Sequence, residues 1–134
     1  MNENRKIKVV LLEPLKMARV VEIDASINAM QEIVGGLIEA IYPFNDNVCL
    51  VCNDEGKING MPLNRAVCDD NGNILDIIAG PAFICGCGGE SFSSLSEKQA
   101  ARYIKQFYLP QDFIITNDRC VPFFVIPDDI LLQN

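Results

Sequence analysis

NVCLVCNDEGKINGMPLNRAV (Asn47–Val67) holds an apolar run, then a polar run rich in asparagine and glycine, then a second apolar run. The first run is too short for a helix and carries no helical spacing, so it predicts a buried strand. The polar run carries Gly56, Gly60 and Pro62, which break regular structure. Gly56 is expected to supply the positive φ of a tight reversal, with Gly60 a second flexible point. The stretch therefore predicts strand, loop and strand.

The same signals continue on both sides. Upstream, LIEAIYPF predicts a strand that turns at Asn45-Asp46 into NVCLVCN. Downstream, RAVCD and ILDIIAGPAFICG flank DDNGN, where Asn71-Gly72 is a strong hairpin signal. The second of these reads as one long strand with a bend at Gly80-Pro81. KIKVVLLE and MARVVEID predict an opening hairpin. Two segments have helical spacing. SINAMQEIVGG has Ser26 as N-cap, an apolar face of Ile27, Met30, Ile33 and Val34, and Gly35-Gly36 to stop it. SEKQAARYIKQF has the capping box Ser96–Gln99 and a face of Ala100, Tyr103, Ile104 and Phe107. The remaining tail is too apolar to be free and is expected to add one or two strands or to pack across the sheet. The fold class is α+β: a single domain with a mostly antiparallel, curved sheet and two helices.

Composition narrows the chemistry. The chain has 134 residues, 49% of them hydrophobic, which suffices for a core. Its net charge is −7, so general binding to nucleic-acid phosphates is disfavoured. Residues 20–97 hold twelve carboxylates against two cations, Lys57 and Arg65. No export signal or membrane-length apolar run is visible, so a soluble, cytoplasmic protein with reduced thiols is expected. Histidine is absent, which removes the commonest general base and the commonest metal ligand.

Cys49, Cys52, Cys85 and Cys87 have the residue type of a four-thiolate zinc site. A CxxC within a strand places its two side chains on opposite faces, however, so buried small hydrophobes are the plainer reading. A redox CxxC would open a helix, and none is expected after Cys52. CGCGGES lacks the phosphate-loop spacing and its lysine. The pairs Asp69-Asp70 and Asp128-Asp129 carry no sign of an acid–base couple. No metal or cofactor is expected. In the loop, Asn53, Asn59 and Asn64 can satisfy the loop's own amides. Arg65 can pair with Asp69, Asp70, Glu39 or a ligand carboxylate. Asn53, Asn64 and Arg65 are thus either a self-satisfied turn or a small polar recognition site.

VGGLIEAI, LVCNDEGKINGMPLNRAV, GNILDIIAGPAFICG and SLSEKQAARY resemble, in order and wording, the family called domain of unknown function 3846. The likeness spans about residues 7–107, with residues 108–134 a C-terminal extension packed on that core. It matches the family's asparagine, its E-G-K turn and its N-R pair to Asn53, to Glu55, Gly56 and Lys57, and to Asn64 and Arg65. These six are the candidate recognition loop. The resemblance implies a bacterial, phage or mobile-element setting and no established activity. The function expected is a non-enzymatic accessory protein with a protein partner and no direct binding to nucleic acid or membrane. Two alternatives stand beside it: an acidic DNA mimic of the anti-restriction type, and a small enzyme or zinc protein using the cysteines or the Asn/Arg loop. Oligomeric state is not legible.

Overall fold

A computed structural model describes residues 5–127. The strands are β1 (Lys6–Leu12), β2 (Arg19–Asp24), β3 (Ile38–Ile41), β4 (Val48–Asn53), β5 (Leu63–Cys68), β6 (Ile74–Ala79), β7 (Ala82–Gly86), β8 (Gln111–Ile115) and β9 (Cys120–Phe124). The helices are α1 (Ile27–Val34) and α2 (Glu97–Phe107). Five strands form one sheet in the order β2-β1-β7-β4-β3, antiparallel throughout, while β5–β6 and β8–β9 form separate hairpins. The α+β class stands.

Alternation along the strands divides the core in two. Ile7, Val9, Cys49, Val51, Phe83 and Cys85 point to one face, under Met30 and Val34 of α1. Val10, Leu12, Val48, Leu50, Cys52, Ala82 and Ile84 point to the other. That face is covered by Ala100, Tyr103 and Phe107 of α2 and by Val67 and Ile78 of the β5–β6 hairpin. Strand β4 is covered on both sides, so its sequence is continuously apolar although the sheet is antiparallel.

Both helix starts follow the sequence. Ser26 Oγ accepts from Ala29 N at 3.1 Å, and Ser96 and Gln99 form a reciprocal capping box. Gly35 closes α1 in the left-handed conformation. Ile27, expected on the buried face of α1, is exposed.

The stretch expected as one long bent strand is two strands in different sheets. At Gly80 (φ +81°) the chain leaves β6 and enters the large sheet as β7. A Cβ there would lie 2.8 Å from Met61 Sδ, and its amide donates to Pro62 O at 2.7 Å. The β5–β6 hairpin is thus an excursion between the neighbouring strands β4 and β7, pinned at its stalk where Pro62 and Gly80 meet. The tail adds the β8–β9 hairpin beside β5, where Gln111 Oε1 accepts from Ala66 N at 2.8 Å.

Candidate functional site

The loop from Asn53 to Arg65 joins the large sheet to the excursion, and the polar side chains at its two ends, Asn53, Asn64 and Arg65, are buried. At the end of β4, Asn53 Nδ2 donates to Val34 O (3.1 Å), one of the carbonyls α1 leaves open at its C-terminus. Its Oδ1 accepts from Glu55 N (2.8 Å), which forms the first turn of the loop. A Cβ on Gly36 would stand 2.9 Å from Asn53 Nδ2, so the second glycine of Gly35-Gly36 makes room for this cap.

Within the loop, Asn59 N donates to Glu55 O and Met61 N to Gly56 O, both at 2.9 Å. Gly56 does not take the positive φ expected of it; Gly60 does, at +70°. Gly56 is needed for closeness instead, since a Cβ there would stand 2.6 Å from Ala79 O. Glu55 and Lys57 are exposed, and Lys57 Nζ pairs with Asp76 Oδ1 at 2.5 Å.

Asn64 and Arg65 lie on the far side of the stalk and are fully buried. Asn64 Nδ2 donates to Leu12 O and to Gly80 O, both at 2.9 Å, and its Oδ1 accepts from Arg65 Nη1 at 2.9 Å. Arg65 also reaches Glu13 O (3.2 Å) through Nη1 and Lys16 O (2.7 Å) through Nη2. Its Nε and Nη2 share Phe107 O, each at 3.2 Å. All five N–H donors of the guanidinium are therefore used. None goes to the carboxylates expected for it, Asp69, Asp70 or Glu39. Burial pushes its pKa down to about 10, which leaves it cationic at neutral pH. Phe107 is the last residue of α2, so the negative end of the helix dipole faces this cation and takes the place of a carboxylate.

The outer wall of the loop borders an open cavity of about 230 Å³, with Glu39, Cys52, Lys57 and Asp76 among its lining residues. The Cys52 thiol is pushed up to about 11 by burial and by the nearby carboxylates Glu39, Asp76 and Asp54, so it is protonated at neutral pH and a weak nucleophile.

The four cysteines of the thiolate set do not converge. Cys49 and Cys85 meet on the α1 face with sulfurs 3.8 Å apart, and Cys87 lies beside Cys49. Cys52 points to the opposite face. Among the described residues no group of three or more Cys, Asp or Glu is arranged to hold a metal. Asp69 closes the β5–β6 turn by accepting from the amides of Asn71 and Asn73, and Asp128-Asp129 lies outside the described residues.

What sequence reasoning did not single out is the surface of β8–β9. Asp112, Ile114, Val121 and Phe123 share one face of the hairpin, and Ile114, Val121 and Phe123 are all exposed. On the other face and beyond, Ile115 (69%), Phe124 (67%) and Ile126 are exposed as well. The apolar wording of the tail is the available signal; it predicts one or two strands or packing across the sheet, and it does not tell a buried face from an exposed one.

No curated protein and no solved structure matches the chain. The model of one family does match, over residues 7–108, from β1 through the whole of α2, with β8–β9 beyond the match. The chain belongs to the family described as Domain of unknown function (DUF3846).

Proposed function

We propose that the protein is a non-enzymatic accessory protein of a phage or mobile genetic element and that it binds a protein partner through the β8–β9 hairpin. The observation that carries this reading is the run of exposed apolar side chains on that hairpin, where Ile114, Val121 and Phe123 share a face. Exposed apolar side chains gathered on one face, rather than scattered singly, are the mark of a contact site. The polar side chains of the loop support the reading from the other direction, because both amide donors of Asn64 and all five of Arg65 are used inside the protein and Asn53 is buried as a helix cap. Pro122, in the middle of β9, lacks an N–H and weakens that edge for strand addition, so docking by the face is favoured. With a chain charge of −7, the complementary partner surface is apolar at its centre and basic at its rim.

The test compares proteins captured from the native host by the wild type, by Ile114→Ser/Phe123→Ser and by Lys57→Ala. Both changes are at exposed positions, so folding is expected to be unaffected. The expected result is a partner with a basic surface, held by the wild type and by Lys57→Ala and released by the hairpin variant. A partner lost on Lys57→Ala and kept by the hairpin variant would move the site to the loop and its cavity.

A further inference from the structure

We propose that Cys49 and Cys85 form an oxidisable thiol pair in the centre of the sheet, reached from solvent through Cys87. Cys49 on β4 and Cys85 on β7 are cross-strand partners with sulfurs 3.8 Å apart. Their backbone register suits a disulfide. Gly86 exchanges hydrogen bonds with Ser93 on one side of β7, and Cys87 N donates to Asn47 O on the other. By alternation the odd residues of β7 bond to β4, so Cys49 and Cys85 form a hydrogen-bonded pair with Cα atoms about 5.5 Å apart. Disulfides span Cα separations of roughly 4.4–6.8 Å, so the bond forms without the strands parting.

Both sulfurs are fully buried, and an oxidant in solution does not reach them directly. Cys87 supplies the route. It lies two residues beyond Cys85, packs against the same core cluster as Cys49 and Cys85, and is half-buried in the wall of an open cleft of about 500 Å³ lined also by Arg5, Tyr42 and Phe92. Cys52 is excluded from the relay because it faces the other side of the sheet.

Burial, and after it Cys49 and Asp46, push the Cys87 thiol up, so with hydrogen peroxide as oxidant it is the small thiolate fraction of Cys87 that attacks a peroxide oxygen, faster as pH rises. The O–O bond breaks, Cys87 becomes a sulfenic acid, and the departing hydroxide takes a proton to become water. Cys49 sulfur then displaces the sulfenic oxygen as a second water and forms a Cys49–Cys87 disulfide. Cys85 attacks the Cys49 sulfur, and Cys87 returns as a thiol. In sum, two thiols and one peroxide become one disulfide and two waters, with two electrons passing from sulfur to oxygen. The product is a covalent tie between β4 and β7 that closes a loop containing the whole β5–β6 excursion.

The test treats the full chain with hydrogen peroxide and maps its cysteines by mass spectrometry without reduction. The expected result is a Cys49–Cys85 cross-linked peptide, reversed by dithiothreitol, in a protein that melts at higher temperature than the reduced form. Cys87→Ser should slow the appearance of that peptide by roughly tenfold or more, since exchange rates depend on thiol access. In Cys49→Ser, dimedone should label Cys87. Recovery of Cys49 and Cys85 as free thiols, while Cys68 or Cys120 is oxidised, would overturn the pair. Oxidation of Cys87→Ser at the wild-type rate would overturn the relay.

Discussion

Asn64 shows how a polar residue in an unusually worded motif can be wholly architectural. One side chain ties the end of β1, the stalk at Gly80 and the guanidinium of Arg65. Its partners lie up to 52 residues away in sequence, so no local pattern announces them. Asn53 was more legible, since a turn-forming asparagine before Glu55 is a short-range device, and its amide does close the first turn. Gly56 was legible as a required glycine but for the wrong reason. Its φ is not positive, and the constraint is Ala79 O in a strand that sequence alone does not bring alongside. Asn64→Ala removes a donor from two buried carbonyls and an acceptor from a buried cation. Urea unfolding should show a loss of about 2–4 kcal/mol, the scale of a broken buried network.

At the scale of elements, local signals were reliable and changes of sheet were not. Helix caps, the Asn71-Gly72 hairpin and the opening hairpin all follow from short-range chemistry, and all are present. The break between β6 and β7 looked like a bend because the apolar wording is continuous across Gly80-Pro81; the two halves bury against different neighbours. Helix α2 is docked through a polar anchor that the sequence hid. The Tyr103 hydroxyl donates to Asp46 Oδ2 at 3.1 Å, and its ring packs on Phe44 with centroids 4.8 Å apart. Burial, and then the hydrogen bond to Asp46, push the Tyr103 phenol up to about 12. An unfolded tyrosine titrates near 10, so between about pH 10 and 12 the folded state holds the extra proton and stability falls as pH rises. Thermal melts should show the wild type losing more stability than Tyr103→Phe between about pH 9 and pH 11. Equal losses would mean that the phenol is not held by this anchor.

Over the whole molecule, the family match and the exposed apolar surface separate. Residues 7–108 form the sheet, its two covering helices and the braced excursion, while the most apolar exposed hairpin follows them. No helix among the described residues is long and apolar enough to cross a membrane. Sequence could show that Arg65 stands nearly alone as a cation in an acidic stretch, but only the fold shows what replaces its counterion. One guanidinium joins the turn after β1, the end of α2 and the start of β5. The claim that this motif is an internal brace is tested most directly by urea unfolding of Arg65→Ala beside Arg65→Lys. Removing the guanidinium strands the buried Phe107 carbonyl and Asn64 oxygen and the part-buried carbonyls of Glu13 and Lys16, so Arg65→Ala should lose about 3 kcal/mol or more, with Arg65→Lys recovering only part because lysine cannot reproduce the five-donor fork. A loss for Arg65→Ala below about 1 kcal/mol, within the range of an ordinary surface change, would contradict the brace and return Arg65 to the candidate recognition residues.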